Sequence, residues 1–212
     1  GYPRCEGNIM VSNPFWCKTV NEYKNETARW IEAPGIQNYM DLAIFFDSFA
    51  VAGNKELLIN LKDNLFNKLH DKDVFMAYFA KATLAFDTPN TVTNIMTKSH
   101  IIDIKKTAVF PIVQGIRSLA LKEKIRETTT IKRIKILENR KVLEKDKAAE
   151  LLEAFDFVNT IRLKSQLFDI QHGKKITNEI DTHTLGKIER DLLKDSFKII
   201  NEFKRFISYT FR

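Results

Sequence analysis

Glycine and proline are scarce, seven and five in 212 residues. That excludes an all-β fold built on many tight turns. Two cysteines cannot staple a scaffold, so Cys5 and Cys17 read as reduced thiols of a cytoplasmic protein. No apolar run approaches the roughly 20 residues of a membrane span, and no signal peptide precedes the first element. An initiator Met is also missing, and the chain opens on Gly1-Tyr2-Pro3-Arg4-Cys5. It reads as a piece of a longer protein. P-loop, G-x-G-x-x-G, G-x-S-x-G, His-Glu-x-x-His and Cys-x-x-Cys patterns are all absent.

What is present is globular. Apolar residues make up 44% and charged residues 29%, which excludes a disordered chain. The net charge is +7, and all of it is local. Residues 101–145 hold twelve bases and five acids, and the remainder balances at 22 of each. A local anion-binding or acidic-partner surface therefore fits better than a uniform nucleic-acid coat. Aromatics that would stack bases are missing from that region apart from Phe110, which further disfavours nucleic acid.

The pattern along the chain predicts a mainly α fold. Residues 1–53 carry most of the Gly and Pro. Asn8–Val11 reads as a short strand. Ser12 and Asn13 can cap a helix with Pro14 in its first turn, ending before Pro34-Gly35. Leu42–Asp47 reads as a buried strand ending in a carboxylate. From Asn54 onward, helical spacing dominates through Leu57, Leu58, Leu61, Leu65 and Leu69, and again through Val74–Phe86. Asp87–Asn90 breaks it. Ile101–Ile104 reads as extended, and helices follow from Pro111, from Thr129 or Thr130, from about Asp146 to Ile170, and from about Thr184. In the last, Leu185, Leu192, Ile199 and Phe206 stand seven apart with Ile188, Phe203 and Ile207 beside them, and together they predict one apolar stripe. Short connections favour an antiparallel helical bundle over 54–212, preceded by a helix and one or two strands left from an α/β domain.

Few residues carry chemistry. His70, His100, His172 and His183 are scattered, without metal-ligand spacing. His70-Asp71 is similar to a dipeptide of metal-dependent phosphohydrolases, but a helix-terminal His followed by a capping Asp explains it. Asp47, at the end of its strand, is the best candidate for metal or catalytic work, yet a Mg²⁺ site wants further oxygen ligands. Lys132, Arg133 and Lys135 read as a solvated helix face opposite Ile131, Ile134 and Leu137, or as an anion site. Asn159, Arg162 and Gln166 share one face of the long helix, either lining a cleft or serving the fold. Asp103 and Lys105 read as a surface ion pair.

Six phrases in order carry a resemblance: GYPRCEGNIM…NPFW, IFFDSFAVAGN, IDIKKTAVFPIVQGIRSLAL, ETTTIKRIKIL, FDFVNTIRLKSQ and LGKIERDLLKDSFKII. Together the chain resembles the putative nucleotidyltransferase substrate-binding family. That family occurs in bacterial signal-transduction proteins related to PII uridylyltransferase, often with CBS and cyclic-nucleotide-binding domains. The resemblance implies that 1–53 is the tail of a nucleotidyltransferase domain and 54–212 a helical substrate-binding domain. It implies Mg²⁺ and an NTP in the intact enzyme, with two further carboxylates upstream. Asp47 then matches the last metal-facing aspartate, although Phe49 stands where the family usually has Arg. Arg117, Arg133, Arg162 and Gln166 match family positions and become substrate-binding candidates for an acidic or phosphate-bearing acceptor. The fragment alone is expected to be inactive. Two alternatives accompany this reading: a regulatory module without chemistry, and an RNA-acting helical domain, which lacks the expected Arg-x(4–6)-His pattern.

Overall fold

The computed structural model describes residues 7–10, 12–33, 35–89 and 100–212. Among these, the chain is mainly α, about 70% helical with eight α-helices and one two-stranded sheet. Its contacts separate two units, Gly1–Phe75 and Met76–Arg212. Cys5, Val11, Pro34 and Asn90 lie outside the described residues.

In the first unit, Asn13 caps only a short 3-10 turn, Pro14–Trp16, its Oδ1 accepting from Phe15 N at 3.0 Å. Helix α1 (Val20–Glu32) starts afresh after it. Thr19 Oγ1 accepts from Glu22 N, and the Glu22 carboxylate accepts from Thr19 N, a reciprocal cap that satisfies two orphan donors. Helices α2 (Ile36–Phe46) and α3 (Lys55–Lys68) follow. Two strand readings fail here. Asn8 sits at φ 53°, a left-handed conformation that breaks an extended run. Leu42–Phe46 is helical because its buried residues fall at helical spacing: Asp41, Leu42, Phe45 and Phe46 are inside, while Ala43 and Ile44 are half-buried. A short apolar run does not by itself separate strand from helix. The core of this unit is aromatic, with Trp30 6.0 Å from Phe45 and Phe46 6.0 Å from Phe66.

The second unit is a bundle. Its contacts begin within α4 (Asp73–Lys81). Strand β1 (Ile101–Asp103) pairs antiparallel with β2 (Glu179–Asp181), Ile102 opposite Ile180. A π-helical turn, Lys105–Val109, leads into α5 (Phe110–Lys122), and α6 (Thr130–Asn139), α7 (Lys145–Gln171) and α8 (Lys187–Thr210) complete it. Ion pairs Lys164–Glu189 and Lys147–Glu202 show that α7 and α8 run antiparallel. Gly115 faces Phe203 and Ile207, and Lys122 Nζ donates to Thr210 O at 3.5 Å, so α5 lies along α8 in parallel. Ile112, Ile116, Leu119, Ile134, Leu137, Val158, Phe197, Ile200 and Ile207 fill the centre.

Two helical faces differ from the sequence reading. On α8 the buried line is Leu193, Ser196, Phe197, Ile200, Phe203 and Ile207. Leu192, Ile199 and Phe206 form its half-exposed edge instead. The apolar arc is wider than the seam it buries, and a strict spacing of seven drifts off that seam. On α6 Arg133 is buried at 1% exposure, whereas Ile131 is 47% exposed. Arg133 stands one turn before Leu137 and beside Ile134, on the inward face.

Candidate functional site

The sequence-derived candidates occupy separate places. Asp47 terminates α2, its N–H donating to Ala43 O, and it ends a helix rather than a strand. Nearby, the buried Lys62 ammonium donates to Ser48 O at 2.6 Å. Phe49 is 70% exposed. Among the described residues no group of three or more His, Cys, Asp or Glu is placed to hold a metal ion. The described residues around Asp47 therefore do not make a Mg²⁺ site by themselves. The imidazoles of His100 and His183 lie against each other with centroids 3.5 Å apart. With no third ligand among the described residues, two rings make no metal site either.

Each arginine candidate is engaged inside the bundle. Arg117 donates to Gln114 Oε1 at 2.6 Å, and Gln114 Nε2 donates in turn to Phe79 O at 3.0 Å. Arg133 Nε donates to Glu127 O at 2.6 Å. This staples the α5–α6 junction, where Glu127 Oε1 accepts from the N–H groups of Thr128 and Thr129. Those backbone bonds, with Lys132 beside them, hold the Glu127 carboxyl below its ordinary value against the opposing effect of burial. On α7, Arg162 Nε donates to Asn178 Oδ1 at 2.7 Å, and Gln166 Nε2 donates to Thr177 O at 3.2 Å. The Asn159–Arg162–Gln166 face thus grips the segment that enters β2, while Asn159 itself bonds back to Phe155 O. Asp103 pairs with Lys106 at 3.3 Å, one residue beyond the Lys105 expected.

A hollow of the bundle lies elsewhere. A groove of about 390 Å³ opens between the α6–α7 turn, the start of α7 and the last turns of α8. Val142, Leu143, Leu151, Ile199, Phe203 and Phe206 make its apolar surface. Lys141, Glu144, Lys147, Glu150 and Glu202 add its charged groups. Lys147 Nζ sits between Glu150 Oε2 at 2.9 Å and Glu202 Oε2 at 3.1 Å. These bonds raise the Lys147 ammonium above its ordinary value and lower Glu202. An apolar concavity with a few fixed polar groups suits a ligand with an apolar body and a charged or polar end. Sequence reasoning missed it because Ile199 and Phe206 read as core. Their spacing of seven, offset from the buried line, was the available signal.

A family model described as "Putative nucleotidyltransferase substrate binding domain" matches residues 73–211. A second, described as a putative nucleotidyltransferase, matches residues 1–37. No curated protein and no solved structure matches the chain.

Proposed function

Because the chain belongs to the putative nucleotidyltransferase substrate-binding family, we propose that its helical unit holds the acceptor for a nucleotidyl transfer. In this reading the chain is the C-terminal part of a uridylyltransferase-like protein of bacterial signal transduction. The intact enzyme moves a nucleoside monophosphate from an NTP to a protein or small-molecule acceptor. The order of the two family matches, nucleotidyltransferase before substrate-binding domain, supports that arrangement.

The groove bounded by Leu151, Ile199 and Phe206 is the observation that carries the binding role, since it lies wholly within the matched substrate-binding residues. Its apolar lining excludes water from the body of an acceptor. Lys147, oriented by Glu150 and Glu202, offers a positioned donor at its edge. An acidic or phosphate-bearing acceptor enters this reading through exposed Lys141 and Lys145 at the α6–α7 turn, since Lys147 is itself paired with Glu150 and Glu202. CBS or cyclic-nucleotide-binding domains in cis belong to the same reading, as does Asp47 serving beside Mg²⁺ ligands supplied by the upstream domain.

Two measurements test this. In the protein extended by its upstream nucleotidyltransferase domain, Mg²⁺-dependent pyrophosphate release from one of the four NTPs is expected, and Asp47→Asn should lower it. In the present chain, titration with indole should shift the amide resonances of Leu151, Ile199 and Phe206, and Phe206→Glu should abolish those shifts. Indole shifts scattered over the surface would overturn the groove assignment.

A second reading is a regulatory module without turnover. Its specific support is Phe49, exposed and uncharged where the family usually has Arg. Absence of turnover with every NTP would favour it.

A further inference from the structure

We infer that the outer face of the α7–α8 hairpin is a two-fold interface between copies of this chain. Leu163, Leu167 and Ile170 stand at i, i+4 and i+7 on α7, and Ile188 and Leu192 at i and i+4 on α8. The Lys164–Glu189 ion pair, at 2.6 Å, joins the two helices between them. These five side chains therefore form one strip. They are exposed by 57, 49, 56, 76 and 46% respectively. Single exposed leucines need no explanation, but a strip does. Together the five expose on the order of 500 Å², and a standard interface covers about 800 Å² on each partner. The apolar centre plus its charged flanks has that size.

The flanks identify the occupant as a second copy. Before the strip, α7 exposes Glu153 and Asp156. Beyond it, where α7 ends, Lys174 and Lys175 are exposed. Acid thus lies at one end of the apolar strip and base at the other. A copy laid antiparallel about the middle of Leu163–Leu167 brings each acidic end onto the partner's basic end. Asp156 lies about 14 Å before that middle and the end of α7 about 9 Å after it, at 1.5 Å per residue. Lys174 and Lys175 just beyond the helix end complete the match. A parallel copy would set acid against acid. Two-fold closure is also the commonest way to cover a self-complementary patch. The face is distinct from the acceptor groove, and the inference stands whether or not that groove binds an acceptor.

Sedimentation equilibrium of the 212-residue chain tests this. A dimer is expected at tens of micromolar. Leu163→Glu or Leu167→Glu should raise its dissociation constant at least about tenfold. Both sites are half-exposed or more, so folding should survive, and circular dichroism verifies that. The double charge reversal Glu153→Lys with Asp156→Lys should also weaken the dimer. Adding Lys174→Glu and Lys175→Glu should restore it, which a merely structural role for these residues would not produce. A monomer throughout, a dimer indifferent to Leu163→Glu, or failure of the charge rescue would each overturn the inference.

Discussion

A guanidinium at 1% exposure has to be held on all sides, and Arg133 is held at the α5–α6 junction by Glu127 O. Replacing it with Ala leaves both a cavity and an unmatched carbonyl. Arg133→Ala should cost about 2–4 kcal/mol in urea denaturation. Lys is not an adequate substitute, because the Nε–H geometry is lost. Gly115 sets the opposite problem, since a Cβ there would stand 2.5 Å from Phe203 Cε1 and 3.1 Å from Ile207 Cγ1. Helix propensity alone favours Ala over Gly by about 1 kcal/mol. Overpacking a buried contact costs about 1–3 kcal/mol and wins here. Gly115→Ala should therefore destabilise, and Phe203→Leu in the same chain should recover part of the loss, read by the urea midpoints of the three variants. Neither role was visible in the residue string. Arg133 lies between lysines and looks solvated; only the phase of α6, fixed by Ile134 and Leu137, turns it inward. Nothing in the residues around Gly115 marks the close approach of Phe203.

Elements in this protein are joined by side chains that reach back to the main chain. Glu127 begins α6 in place of a Thr cap, since Thr129 makes no side-chain cap bond. Its carboxyl is held below the ordinary 4.5 by the bonds from Thr129 and Thr128. A depressed carboxylate contributes stability at pH above its unfolded value and loses it as pH falls through the folded value. The chain should lose stability from about pH 4.5 downward, and Glu127→Gln should flatten part of that acid slope, measured by urea midpoints at neutral and acidic pH. On α7, Arg162 and Gln166 both reach Asn178, whose own carbonyl accepts from Ile104 N at 2.9 Å. Asn178→Ala should speed amide exchange at Ile102, Ile104 and Ile180 while leaving the α5 core protected, because it removes the strap and not the core. The sequence made the helices themselves legible: the long α7 stands within a residue of its expected ends, and the segment expected to be extended over Ile101–Ile104 is a strand over Ile101–Asp103. It did not make the partners legible. Arg162 and Gln166 share a face by spacing alone, but that they grip Asn178 depends on a loop returning from the far end of α7. Leu42–Phe46 was misread because five apolar residues in a row carry no period.

Over the whole molecule, the +7 charge has a different character from that of a polyanion binder. Arg117, Arg133 and Arg140 point their donors at Gln114 Oε1, Glu127 O and Glu123 O, and Lys132 pairs with Glu127. These four of the twelve bases in 101–145 thus have structural partners. Fluorescence anisotropy with single-stranded RNA should show weak binding with at most a moderate dependence on salt, since no aromatic apart from Phe110 accompanies the exposed bases of 101–145 to stack nucleotides. A steep slope would instead support the RNA-acting alternative. The mainly α class and the family were legible because composition and ordered phrases report on the whole chain. The groove beside Leu151, Ile199 and Phe206 was not, because it arises where the α6–α7 turn, α7 and α8 meet, and no single segment encodes it.

The small sheet has a kinetic consequence. Ile102 must find Ile180 across the whole of α5, α6 and α7, whereas α7 and α8 are chain neighbours. Closing the longer loop costs more entropy before any contact rewards it. The α7–α8 hairpin should therefore dominate the folding nucleus, with the β1–β2 ladder zipping late. In stopped-flow measurements Leu193→Ala should slow refolding, while Ile102→Ala should act mainly by accelerating unfolding.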